Sequence, residues 1–201
     1  MKLYYSPGAC SLSPHIVLNE GGFNFEIEKV TLATKKTETG ADYTTINPNG
    51  YVPALILDGG EILTEGPAII QYLADRAPEK RLVPLAGTIQ RYQLMEWLNF
   101  ISTELHKGFS PLFNPKTPED WKTVVKAQLA RRFRYVDQKL QGKNWLMGED
   151  FTVADAYLFT VLSWSKHVGV DLSPWPQMIA YLDRVASRPA VQATLKAEGL
   201  L

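Results

Sequence analysis

Cysteine is almost absent. Cys10 is the single one among 201 residues, which excludes an internal disulfide framework and a cysteine-cluster metal site. Histidine is scarce too: the three in the chain show no ligand spacing with one another or with Cys10, so no metal is expected. An excess of one charge is also missing, with 21 basic residues against 21 acidic ones. A nucleic-acid or membrane-surface binder would carry a basic excess, so neither partner is expected. No apolar run reaches the length that spans a bilayer. The N-terminus, MKLYYSPGAC, breaks at Ser6-Pro7-Gly8 without the apolar stretch of a secretion signal. The expected setting is therefore the cytoplasm, a reducing compartment where a free thiol persists. There is no internal repeat and no low-complexity segment. What is present is an ordinary globular composition, 45% hydrophobic and 21% charged, long enough for one large domain or two small ones.

The first third of the chain reads as mixed α/β. Lys2 to Tyr5 is a short apolar-aromatic run stopped by Ser6-Pro7-Gly8, hence a strand and a turn. Ser11 to Glu20, with Leu12, Ile16 and Leu18 apolar and Gly21-Gly22 behind it, reads as a helix. Phe23, Phe25 and Ile27 alternate with polar residues at strand spacing. Ala54 to Leu57 and Glu61 to Leu63 flank Asp58-Gly59-Gly60, a hairpin signal. A helix follows from Pro67 to Asp75.

After Pro78 the strand signals vanish, and Arg81 to Gly87 reads as a linker. Leu94, Leu98, Ile101 and Leu105 recur on one helical face. A second long helix is expected over Val124 to Leu140, with Val125, Leu129, Phe133 and Val136 inward, and another from about Trp175 to Ala186. Thr152-Val153-Ala154-Asp155 has the form of a capping box with aspartate in place of glutamate, and Phe151 before it is placed for a hydrophobic staple. The expected division is an α/β domain over residues 1–79 and an all-helical domain over 87–201.

Four places could carry chemistry. Cys10 lies between a turn and a helix start, where unpaired N–H groups stabilise a thiolate; the plainer reading is a small residue filling a gap. Val52-Pro53 enters the hairpin, and a cis bond there would turn the Val52 N–H and C=O toward an extended peptide; the plainer reading is an ordinary loop. Thr64-Glu65-Gly66-Pro67 starts a helix with no bulky cap, an anion site beside a carboxylate. Such a pair suits an α-amino acid head group, though Glu65 alone could simply complement the helix dipole. His106 precedes Lys107 at an expected helix end, either as a cation near a C-terminus or as a donor or base suited to neutral pH.

Taken together, Asn47-Pro48-Asn49-Gly50-Tyr51-Val52-Pro53 and Leu63-Thr64-Glu65-Gly66-Pro67-Ala68-Ile69 resemble the glutathione site of cytosolic glutathione transferases. Tyr4 to His15, Lys35-Lys36-Thr37, Trp97-Leu98-Asn99-Phe100, Glu104 to Gly108 and Phe151 to Tyr157 are similar to the bacterial beta class. The similarity runs through the whole chain in order. It implies a thioredoxin-like N-terminal domain, an all-α C-terminal domain and a homodimer. It implies glutathione as co-substrate, no other cofactor, and conjugation to hydrophobic electrophiles as a detoxifying reaction.

Residue by residue, the resemblance places Cys10 beside the glutathione sulfur, Val52 on the cysteinyl backbone, Glu65 and Gly66 on the γ-glutamyl head and Lys35 on the glycyl carboxylate. Asn99, Thr103, Glu104 and His106 come from the helical domain, with Cys10 and His106 catalytic. Many family members carry serine where this chain has Gly66. Tyr5 and Ser11 are the hydroxyls that other classes would use; Tyr5 is expected to be structural. Phe109, Phe113, Trp164 and His167 are candidates for an apolar second-substrate pocket. Two other readings remain: a thiol transferase or peroxidase with Cys10 as redox nucleophile, and a non-catalytic binder of apolar ligands.

Overall fold

The computed structural model describes residues 1–201. They form two compact units, Met1–Leu82 with Arg188–Leu201, and Val83–Ser187.

The first unit is built on a five-stranded mixed sheet. Its strands are β1 (Lys2–Tyr5), β2 (Glu26–Thr31), β3 (Lys36–Thr37), β4 (Ala54–Ile56) and β5 (Ile62–Thr64), in the order β3-β2-β1-β4-β5. β1 and β2 run parallel, and α1 (Leu12–Gly21) is the helix of the crossover between them. Every other pairing is antiparallel. Leu3, Tyr4 and Tyr5 of the central strand are all buried, which is why that strand reads as an unbroken apolar run rather than an alternation. The expected hairpin is present, and α2 (Gly66–Asp75) follows it.

Two details differ from expectation. Phe23 and Phe25 keep the alternation but lie outside a ladder, because pairing begins only where Lys2 meets Glu26; Phe25 instead packs edge-on against the His15 ring. The helix expected from Ser11 starts at Leu12, and Ser11 occupies the cap position without capping it. Its hydroxyl accepts from the Ser6 N–H and donates to the Ser6 carbonyl, closing the preceding turn.

The second unit is helical: α3 (Ile89–Phe100), a π-helical turn (Ile101–His106), α4 (Lys107–Phe113), α5 (Glu119–Leu140), α6 (Val153–Ser163), a short 3-10 turn (Trp164–His167) and α7 (Pro176–Ala186). Leu94, Leu98, Ile101 and Leu105 are buried as their spacing requires, and so are Val125, Leu129, Phe133 and Val136. α5 begins five residues before the expected Val124, because Pro118 and the acidic Glu119 and Asp120 start it before its apolar face does. α6 is buried on all sides from Val153 to Leu162 and is the core of this unit. Its capping box is formed. Asp155 accepts from the Thr152 N–H and hydroxyl, from the Leu146 N–H and from the Tyr181 hydroxyl.

The last helix, α8 (Pro189–Ala197), packs on α1 and belongs to the first unit. The sequence division, which carried the helical domain through to residue 201, differs here. Arg188 forms a two-pronged ion pair with Glu20 at 2.6 and 2.8 Å. Asn19 donates to the Thr194 hydroxyl at 2.8 Å. These contacts, with Val191 and Thr194 fully buried, hold the segment to α1.

Candidate functional site

The register of the sheet gathers three loops at one end. Tyr4 pairs with Ala54, and Ala54 with Thr64. The chain therefore leaves β1 toward Cys10, enters β4 from Val52-Pro53 and leaves β5 toward Glu65 on the same edge. β2 is parallel to β1 and delivers the chain toward Lys35 at that end as well.

Cys10 is half-buried, two residues ahead of α1. Its thiol donates to the Val52 carbonyl at 3.0 Å. The Val52–Pro53 bond is cis. The preceding carbonyl, of Tyr51, accepts from the Tyr43 hydroxyl at 2.8 Å and from Asn47 Nδ2 at 2.7 Å, which fixes the loop. Lys35 Nζ donates to the Gly50 carbonyl at 2.8 Å and lies 5.7 Å from the centre of the Tyr51 ring. Cys10, Lys35 and Val52 thus share one connected loop cluster.

Glu65 is exposed and holds φ at 65°, a left-handed conformation in which a non-glycine residue is strained. Its side chain makes no capping bond, so no hydrogen bond commits the carboxylate to its own helix. The Glu65 carbonyl accepts from the Ala68 and Ile69 N–H groups, and Pro67 has no N–H, so the Gly66 N–H is the donor at the helix mouth. A Cβ at Gly66 would meet nothing within 4 Å; a serine fits there.

The structure also brings in Glu198, which no sequence signal marked. Its carboxylate accepts from the Gly8 N–H at 2.9 Å and lies 2.8 Å from His15 Nδ1. Both side chains are almost wholly buried. Glu198 therefore ties the C-terminal segment to the turn that presents Cys10. Tyr5 is buried, and burial, with help from the Glu198 and Glu38 carboxylates, raises its pKa. It stays a neutral phenol inside the fold, as a structural residue should.

In the helical unit, Asn99 and Thr103 are exposed, and their side chains bond back to the Met95 and Asn99 carbonyls. Glu104 pairs with Arg132. His106 does not end a helix. The π-helical turn runs straight into α4, so the imidazole faces no open C-terminus and is not a dipole-stabilised cation. Burial, reinforced by Lys107, lowers its pKa to about 4. The ring is neutral at physiological pH, with Nδ1 2.7 Å from the Tyr157 hydroxyl. Trp164 stands edge-on to His106 at 4.9 Å, to Phe113 at 5.7 Å and to Phe109 at 6.0 Å. Phe109 is fully buried and braces this cluster, while Phe113 is half-exposed. His167 is exposed and has no ring contact with the group.

A family model described as the glutathione S-transferase N-terminal domain matches residues 8–76, and one described as the C-terminal domain matches residues 100–189. The chain belongs to the glutathione S-transferase family. It is 52% identical to glutathione S-transferase GstA of Escherichia coli O157:H7 over the whole of both chains. The structure of a bacterial beta class glutathione S-transferase from Sphingomonas chungbukensis superposes over both full chains with a TM-score of 0.97 at 50% identity. A sphingomonad glutathione S-transferase solved in complex with glutathione does so with a TM-score of 0.96 at 48% identity. The motif resemblance to the beta class is thus matched across the whole glutathione transferase chain. The strained Glu65 and the cis Val52–Pro53 bond sit within the N-terminal family domain.

Proposed function

We propose that this glutathione transferase joins the thiolate of reduced glutathione to apolar electrophiles, with the tripeptide held by Cys10, Lys35, Val52, Glu65 and Gly66. The observation that carries the reading is the convergence of a cation, a carboxylate, a backbone donor and a thiol at one end of the sheet. Glutathione carries the complements: two carboxylates, one ammonium and a sulfur. Lys35 suits the glycyl carboxylate, Glu65 the ammonium, and the Gly66 N–H the head-group carboxylate. The Val52 backbone suits the cysteinyl peptide. The Cys10 S–H donates a hydrogen bond, and a donor near the glutathione sulfur favours its thiolate at a pH where free thiol dominates. That thiolate attacks the electrophilic carbon, the C–S bond forms and the leaving group departs with its electron pair.

Asn99, Thr103 and Glu104 complete the residues that the resemblance assigns to glutathione. His106 then acts as a neutral hydrogen-bonding group, not as a charge. Phe113 and Trp164, with Phe109 behind them, offer an apolar wall to the electrophile; His167 has less support. The homodimer and the cytoplasmic setting belong to the same proposal, and sedimentation tests the first against the 22.6 kDa chain.

A second reading rests on the half-exposed Cys10. Its thiolate can attack a glutathione-containing disulfide and release the other thiol; a second glutathione then frees Cys10 and leaves as oxidised glutathione. Titration of reduced glutathione into the wild type, Cys10→Ala and Glu65→Gln, followed by conjugation and disulfide-reduction assays, separates the two. The conjugation reading expects binding and conjugation to weaken but persist in Cys10→Ala, where one donor near the sulfur is lost, disulfide reduction to vanish there, and binding to weaken in Glu65→Gln. Absence of glutathione binding in the wild type would sink both readings and favour a binder of apolar ligands.

A further inference from the structure

Inside the helical unit, one contact fixes which way the His106 ring can work. Tyr157 lies on α6, the helix buried on all sides, and is itself only 2% exposed. A buried phenol needs a partner for its hydroxyl, and His106 Nδ1 lies 2.7 Å from it. The two rings stand edge-on, 80° apart with their centres 5.9 Å from each other. Trp164 stands edge-on to the same imidazole at 4.9 Å. His106 is the last residue of the π-helical turn, after which the Lys107 N–H reaches back five residues to the Ser102 carbonyl. Single widened turns of this kind inside helices occur frequently at functional sites. The imidazole is therefore held by two rings and a hydrogen bond, yet it stays half-buried rather than sealed into the core.

The direction of the hydrogen bond sets the chemistry. The ring is neutral at physiological pH, and a neutral imidazole has one N–H and one bare nitrogen. With the proton on Nδ1, the Tyr157 oxygen would accept it and a bare Nε2 could act as a base. With the hydroxyl donating, Nδ1 is the bare nitrogen and Nε2 carries the proton. Acidity favours the second arrangement. A phenol O–H titrates at about 10, and the N–H of a neutral imidazole is a far weaker acid. The bare imidazole nitrogen takes a proton at about 6.5 in water, and a phenol oxygen is a far weaker base. The stronger donor therefore meets the stronger acceptor. The Nδ1 contact is the ring's one hydrogen bond within the chain, which leaves the Nε2–H for a bound group.

We propose that Tyr157 is a positioning residue whose hydroxyl donates to His106 Nδ1 and so holds the ring's proton on Nε2, as a hydrogen-bond donor to the glutathione thiolate. His106 is then a donor and not a general base, and the proton of the glutathione thiol leaves to water. The tautomer follows from the helical unit alone, whereas the role of the Nε2–H rests on the glutathione reading above. Heteronuclear NMR of the imidazole nitrogens, on the whole protein without glutathione, tests the tautomer. Near neutral pH the wild type should show a protonated Nε2 and a bare, hydrogen-bonded Nδ1. In Tyr157→Phe the Nδ1 signal should move to the position of a free lone pair. A proton on Nδ1 in the wild type overturns the proposal, and so does an Nδ1 signal that Tyr157→Phe leaves unmoved. Kinetics test the donor role. Tyr157→Phe should lower kcat for conjugation at neutral pH about fivefold, the scale of one net hydrogen bond, because less of the bound thiol is ionised; the KM for glutathione should change little. In a His106→Ala background the same substitution should cost almost nothing further. An equal loss in both backgrounds would make Tyr157 a packing residue. A wild type that does not conjugate would overturn the donor role, while the spectrum alone still decides the tautomer. Should Tyr157→Phe fail to fold, the wild-type spectrum decides.

Discussion

At the scale of single residues, Gly66 and His106 give the sharpest expectations. Gly66 has no conformational need to be glycine, because its φ is not left-handed and a side chain there meets open space. A serine would keep the backbone donor and add a hydroxyl at the mouth of α2. Gly66→Ser should therefore lower the KM for glutathione about three- to tenfold, the scale of one net hydrogen bond, with kcat little changed; a raised KM would contradict the placement of the head group. For His106 the sign follows from its depressed pKa of about 4. Between pH 4 and 6.5 the unfolded chain binds a proton that the folded chain refuses, so stability falls as pH drops through that window. The effect is bounded by roughly 3 kcal/mol, and less where water reaches the ring. Urea midpoints of His106→Gln should fall less steeply than wild type over that window; parallel slopes would mean that the imidazole is charged when folded. The sequence reading missed this state because His106-Lys107 looks like a basic helix end, whereas the continuing helix and the Tyr157 hydroxyl bury the ring instead.

At the scale of elements, legibility follows chemistry type. The capping box of α6 could be read from Thr152 and Asp155, because spacing and residue type are both diagnostic. Nothing in that spacing shows that the same carboxylate also takes the Leu146 N–H and the Tyr181 hydroxyl from elsewhere in the unit. Asp155→Ala leaves these donors buried without an acceptor and should cost about 3 kcal/mol or more in urea unfolding, with Asp155→Asn milder; a loss under about 1 kcal/mol would show that water replaces the carboxylate. α8 was not legible as a partner of α1. Its buried positions include Thr194 and, just beyond the helix, Glu198, polar types that hide the apolar period. Glu198 is also the element's route to function, because it holds the Gly8 N–H two residues before Cys10. Glu198→Ala should raise the KM for glutathione and lower stability by about 3–5 kcal/mol, the cost of breaking a buried pair. Glu198→Gln, which keeps an acceptor for Gly8, should recover most of the KM. A KM unmoved in both variants would reduce Glu198 to a packing residue.

At the scale of the molecule, the strand-rich first third, the hairpin and the helical remainder were all readable from periodicity, and no helix is long and apolar enough to cross a membrane. The division at the C-terminus was not readable, because composition shows where strands stop but not which unit a late helix joins. The partition makes a physical claim that truncation can test. A chain ending at Ser187 keeps all of Val83–Ser187 but strips the first unit of α8, of the Arg188–Glu20 pair and of the Glu198 acceptor for Gly8 and His15. The face of α1 that carries His15 and Asn19 would then meet water, and the Cys10 turn would lose its tie. Local stability tracks such contacts, so the damage should be confined to the unit that lost them. Amide hydrogen exchange on the truncated chain should show protection falling in β1, α1 and β4 while α5 and α6 keep theirs, and glutathione binding should weaken together with the first group. Equal loss of protection in α6, whose buried surroundings lie within the retained segment, would mean that the two units unfold as one and that α8 stabilises both.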